Sequence, residues 1–132
     1  MNKRKAVIAI INYKGKILLG KKRSDSGTFM SGKWHLLGEN VEGNESDEEA
    51  LARGIMEEAR IKVKIGEFLG FYKTPPGKDA NFYECFALSN QIKVGSDLED
   101  AEWVDKEDVL ERCKDRVSLW SKRVRDYFSD CG

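Results

Sequence analysis

The chain has 132 residues, enough for a single domain (1–132) with its own core. Lys plus Arg and Asp plus Glu are equal at 23 each, so no bulk charge draws it toward nucleic acid or a membrane surface. Hydrophobic residues at 40% and charged residues at 35% describe a soluble protein, and no stretch approaches the length of a transmembrane helix.

The opening "MNKRKAVIAII" places basic residues before an apolar run. That run covers only Ala6 to Ile11, and Asn12-Tyr13-Lys14-Gly15 then reads as a turn, so an export signal is not expected. Val7 to Ile11, the turn and "ILLGKK" read as a strand pair. "RSDSGTFMSGK", Arg23 to Lys33, is polar and glycine-containing and reads as an exposed loop. "WHLLG" reads as a short strand that turns at Gly38.

The clearest local signal follows. Ser46 with Glu49 forms a capping box, and Asp47, Glu48 and Glu49 suit the positive end of a helix dipole. Leu51, Ile55 and Ala59 make an apolar stripe, with Ala52 and Met56 beside it. Arg53, Gly54, Glu57 and Glu58 are expected largely off that stripe. Gly54 is the oddity, because glycine inside a helix costs about 1 kcal/mol relative to alanine.

"IKVKIGEFLGFYK" alternates like a strand with a glycine irregularity, "TPPGKDA" reads as a turn, and "NFYECFALS" returns as a strand. "AEWV" is a short strand, after which Asp105 is expected to cap a helix running through Cys113. Val117, Trp120, Val124 and Tyr127/Phe128 recur at helical spacing and predict a C-terminal amphipathic helix. Cys85, Cys113 and Cys131 are widely spaced and lack a CxxC pattern. They point away from a disulfide framework or zinc site and toward a reducing, cytoplasmic location. This order of elements predicts an α/β (α+β) fold, a mixed sheet covered by helices.

Glu57 and Glu58 are adjacent, so their side chains diverge by about 100° around the helix. Glu45 precedes the helix and can fold back toward them. Clustered carboxylates are what hard divalent cations such as magnesium need, and such ions neutralise a pyrophosphate and activate water against it. The plainer reading of these residues is a solvated acidic helix face.

Spacing favours the chemistry. From Gly38 onward "GENVEGNESDEEALARGIMEEARI" resembles the Nudix box, with Glu45, Arg53, Ile55, Glu57, Glu58 and Ile61 matching between Glu39 and Ile61. Trp34, Leu36 and Gly38 match the approach to that box, "AIINYKGKILLGKKR" resembles the family's opening hairpin, and "LEDAEWV" resembles a later acidic segment. The resemblance covers almost the whole chain and implies a Nudix-type mixed sheet sandwiched between helices. Three positions depart from the pattern: Glu39 replaces the first box glycine, Arg60 the last, and Gly54 the first glutamate of the Arg-Glu pair. In the family that glutamate is usually a metal ligand and often the proposed base. Arg60 is expected at a helix-ending position with φ > 0.

The resemblance implies a Mg2+ site, with Mn2+ as an alternative, held by Glu57, Glu58 and the Gly38 carbonyl. Arg53 is expected to pair with Glu45 as structural support. Lys22 and Arg23 are candidates for substrate phosphates, against the plain reading of solvated surface. Glu99 is the candidate loop base, ahead of Glu102. His35, despite a suitable pKa, reads as an ordinary strand residue. Trp34, Phe29, Tyr72 and Tyr83 are candidates to stack a base, or core aromatics.

The implied function is magnesium-dependent cleavage of the pyrophosphate linkage of a nucleoside diphosphate derivative or a nucleoside triphosphate, with reduced activity for want of a carboxylate at 54. The alternatives are a degenerate domain that binds a nucleotide or partner, and a nucleotide-sugar glycosyl hydrolase. The expected partner is a small-molecule nucleotide, with no nucleic acid or membrane. Oligomeric state is open, with a homodimer among the options, and substrate choice is expected in loops Arg23–Lys33 and Thr74–Asn81.

Overall fold

The computed structural model describes residues 5–25, 31–74, 78–95 and 98–129. Six strands form one sheet: β1 (Lys5–Tyr13), β2 (Lys16–Lys22), β3 (Trp34–Asn40), β4 (Val63–Thr74), β5 (Lys78–Ala87) and β6 (Leu98–Asp105). Their spatial order is β4-β5-β1-β3-β2-β6. All neighbours run antiparallel except β1 and β5, which pair in parallel from Lys5↔Asp79 to Asn12↔Phe86. Lys14 and Gly15 both have positive φ, 48° and 81°, the twist a two-residue hairpin needs between β1 and β2.

Helix α1 (Asp47–Ala59) covers one face of the sheet. Ala50, Leu51, Ile55 and Ala59 pack there with Val7, Ala9, Ile11, Leu18, Leu37 and Cys85. On the other face, α2 (Val109–Arg112) and α3 (Lys122–Ser129) bring Val109, Val124 and Phe128 against Ile10, Ile17, Leu19 and Phe82. The expected mixed sheet between helices is therefore present. Full burial of side chains such as Leu51 or Ile55 stabilises the fold by about 1.5–3 kcal/mol each.

Several local expectations are corrected. The third strand does not turn at Gly38 but continues to Asn40, with Gly38 paired to Ile8 across the ladder. Asp105 holds the N-cap position of a 3-10 turn (Lys106–Asp108) that leads into α2, but its side chain makes no capping bond and its carboxylate takes the Lys16 ammonium at 2.6 Å instead. The C-terminal pattern is not one helix. A 3-10 turn (Val117–Leu119) precedes Trp120, which is extended (φ −92°, ψ 153°), and α3 starts after Ser121. The Ser121 hydroxyl explains the break, since it donates to the Leu69 carbonyl (2.6 Å) and accepts from the Val124 amide (3.2 Å). It thereby serves as the N-cap of α3 and fastens it to β4. The glycine irregularity of β4 holds, with register shifts between Ile65 and Phe68 and between Phe68 and Phe71, and Gly70 at φ 86°.

Candidate functional site

The capping box fixes the start of α1. The Ser46 hydroxyl accepts from the Glu49 amide at 3.1 Å, and the Glu49 carboxylate accepts from the Ser46 amide at 2.9 Å. Asp47 anchors the same end to the sheet through Tyr83 (2.6 Å), Asn81 (2.9 Å) and Lys5 (2.7 Å). Burial opposes its ionisation, but these three partners together hold its carboxyl below the usual range. Tyr83 is thus a helix anchor, and its hydroxyl is pushed up by burial and by Asp47.

Arg53 is the hub of the helix's exposed edge. Its Nε and Nη2 donate to the two oxygens of Glu45 at 2.7 and 2.9 Å, a bidentate pair. Nη2 also donates to the Asn40 carbonyl (2.9 Å), and Nη1 donates to Glu57 (3.1 Å). Glu39 and Glu42 lie farther out, at 3.5 and 3.8 Å. One guanidinium therefore gathers four carboxylates from β3, the following loop and α1. The expected Arg53–Glu45 tie is present.

Glu45 reports this tie. The Arg53 guanidinium, then the Glu42 amide, hold its carboxyl down from an ordinary 4.5 to about 2. The folded pKa lies below the unfolded one, so the stabilisation is complete above about pH 4.5 and lost as pH falls through about 2. Glu45→Gln is expected to flatten the acid limb of the stability curve within that window. Urea melts between pH 2 and 5 check this; an acid slope identical to wild type would count against the tie.

Gly54 and Glu58 are not off the packed face. Both are buried, Glu58 at 9% exposure, while Glu57 remains exposed. They stand three and seven positions from Leu51, spacings that lie on the apolar stripe and could have located them. A side chain at 54 has no room as the site stands. A Cβ there would lie 2.6 Å from Glu39 Cβ and 2.9 Å from its Cγ. The occupant of that space, Glu39, is what the sequence reasoning missed.

The helix ends as expected, with Arg60 at φ 58° and its amide on the Met56 carbonyl (3.1 Å). The β5–β6 segment takes up two further carbonyls. Lys93 donates to Ala59 (3.0 Å) and Gly95 to Glu58 (2.8 Å), with Gly95 against the Glu57 carbonyl. These bonds satisfy groups that a helix end otherwise leaves open.

The remaining candidates lie elsewhere. Glu99 accepts from the Ser24 hydroxyl (2.8 Å) and amide (3.1 Å) and pairs with Lys21 (3.1 Å), contacts that hold its carboxyl below the usual range. Arg23 is engaged by Asp25 in a two-point pair at 3.0 and 3.1 Å. Lys22 ends β2, its backbone bonded to Lys33 and Gly32. Glu102 pairs with Arg112 (2.8 Å), whose guanidinium sits 4.5 Å over the Trp34 ring. His35 is a strand residue with Nδ1 at 2.8 Å from the Leu36 carbonyl, and burial pushes its pKa down. Tyr72 packs on the α2–α3 side of the sheet. Phe29 lies outside the described residues, as do parts of both expected substrate loops.

The donors fit a hard cation chemically: carboxylates Glu57 and Glu58 with the Gly38 carbonyl are all oxygen ligands. Among the described residues, no three acidic, His or Cys side chains converge on one point. Glu57 accepts from Arg53 Nη1 at 3.1 Å, and its side chain is 59% exposed.

The chain is similar to known proteins in sequence and in fold. The NUDIX domain family model matches residues 1–125. The nucleoside triphosphatase NudI of Escherichia coli O139:H28 is 30% identical over 124 residues, covering 83% of this chain and 87% of that protein. The crystal structure of a NUDIX hydrolase from Nitrosomonas europaea superposes with a TM-score of 0.81 at 20% identity, over 99% of this chain and 73% of that one. The MutT protein from Methanosarcina mazei Go1 gives 0.71 at 27% identity, over 98% and 94%.

Proposed function

Since the chain belongs to the Nudix family and is a Nudix-type pyrophosphohydrolase, we propose that it hydrolyses a nucleoside triphosphate or nucleoside diphosphate derivative, using Mg2+ with Mn2+ as a substitute. The observation that carries this reading is the Arg53 hub, which binds Glu45 and keeps Glu57 beside the β3–α1 junction. Glu57, Glu58 and the Gly38 carbonyl are the proposed metal ligands. When bound, such an ion offsets the negative charge that develops on phosphoryl oxygens during attack by water.

The protein's own groups hold the substrate. Lys22 and Arg23 are proposed to meet its phosphates, Arg23 exchanging the Asp25 carboxylate for phosphate oxygens of similar geometry. Glu99 is the proposed loop base. Ser24, and then Lys21, stabilise its ionised form, so its pull on a proton strengthens as those bonds open. The similarity to a protein named as a nucleoside triphosphatase supports triphosphates as the first substrates to try. The cytoplasm, where such nucleotides and Mg2+ occur, is the proposed location.

The test is an incubation with Mg2+ and a panel of nucleoside triphosphates, nucleoside diphosphate derivatives and nucleotide sugars. Phosphate, pyrophosphate and free sugar are followed separately. Metal-dependent release of phosphate or pyrophosphate is expected. Nucleotide binding without turnover at high enzyme concentration would convert the reading to a binding module. Release of sugar alone would assign glycosyl hydrolysis instead.

A further inference from the structure

Against the box pattern, position 39 carries glutamate where glycine is expected, and position 54 carries glycine where glutamate is expected. In the fold these two positions face each other across the β3–α1 contact. A Cβ at 54 would sit 2.6 Å from Glu39 Cβ, 2.9 Å from Cγ and 3.4 Å from Oε2. Glu39 thus fills from the strand the space that a residue at 54 would fill from the helix. The two departures from the pattern are a single reciprocal exchange.

We propose that Glu39 is the third carboxylate of the metal site, supplying from β3 the oxygen that Gly54 does not supply from α1. The proposal rests on the metal-dependent reading above. Glu39 adjoins Gly38, whose carbonyl is a proposed ligand, and its side chain is about three-quarters buried, at 23% exposure. Oε1 accepts from the Asn40 amide at 2.9 Å, which fixes the orientation of the carboxylate. Oε2 has a long ion pair with Arg53 Nη1, 3.5 Å, and this oxygen faces Gly54. A space-filling role alone needs no charge, since a glutamine has the same shape.

Mn2+ binding to the full chain, titrated by electron paramagnetic resonance, separates the two roles, with nucleotide hydrolysis measured in parallel. E39Q is expected to weaken Mn2+ binding by about 10–100-fold, a loss at least as large as that from altering an outer partner of a metal site. E58Q is expected to do at least as much. The double exchange E39G/G54E is expected to recover most of the wild-type affinity. If E39Q binds Mn2+ as wild type does while E58Q does not, Glu39 is filler and the proposal falls, with the metal site left standing. If E39Q, E57Q and E58Q all bind as tightly as wild type, the metal-site reading itself falls.

A second measurement tests the shared space without metal. G54A is expected to lower Tm in the wild-type background, where the new methyl meets Glu39. In the E39G background the same change is expected to raise Tm, because alanine is the better helix former. The same sign in both backgrounds would show that the two positions do not compete, and the exchange would lose its structural basis.

Discussion

Arg53→Ala is expected to lower Tm by about 5–10 °C, an estimate from a net loss of about 2 kcal/mol. The guanidinium makes two bonds to Glu45, one to the Asn40 carbonyl and one to Glu57. Charge-assisted bonds contribute about 1.5–3 kcal/mol each when buried. Here the side chain is 26% exposed, so solvent screening reduces that contribution substantially. Removal also leaves Glu39, Glu42, Glu45 and Glu57 without their shared cation, so part of the loss should return at about 1 M salt, where the Debye length is about 3 Å. Arg53→Lys should rescue little, because one ammonium cannot reproduce the two-point grip on Glu45 while reaching Asn40 and Glu57. Thermal melts of the two variants at low and high salt provide the check. An unchanged Tm for Arg53→Ala would reduce the hub to a solvated surface arginine.

For Glu58→Gln the expected outcome separates rate from stability. Hydrolysis should fall on the order of 10²–10³-fold, the scale for loss of one group that stabilises transition-state charge. Tm should change far less than the rate, because the amide keeps the shape and volume of the buried side chain. Single-turnover rates with Mg2+, paired with melts of the same samples, make the comparison. A Tm that drops in step with the rate would make Glu58 a structural residue rather than a ligand.

Legibility in the sequence followed the range of the interaction. The capping box at Ser46 and Glu49 is local, and it is present as read. The apolar stripe of Leu51, Ile55 and Ala59 marks the packed face of α1, but Gly54 and Glu58 share that face while Ala52 is exposed, because an apolar pattern passes over a glycine and a glutamate at the same spacing. The Glu45–Arg53 tie came from the family resemblance, since spacing alone cannot aim two side chains at each other. The break at Trp120 was hidden because its helical spacing matches Val117 and Val124 even though its backbone is extended. What decides the break is a hydroxyl bonded to a carbonyl on β4. Glu39 over Gly54 was hidden for a similar reason: each departure was visible alone, but no periodicity reports that a strand residue occupies a helix residue's space.

The parallel pairing of β1 with β5 has a consequence for synthesis of the chain. β1 ends at Tyr13, while its partner runs through Phe86. On a ribosome adding about 5–20 residues per second, the nascent chain carries its first strand for about 4–15 s before that partner is made. Meanwhile Val7, Ala9 and Ile11 can be covered by α1 as soon as it is made, whereas the edge of β1 that pairs with β5 stays open, as does Ile10 on the α2–α3 face. The centre of the sheet is therefore begun early and completed late, and β2 waits longer still, until β6 (Leu98–Asp105) is made.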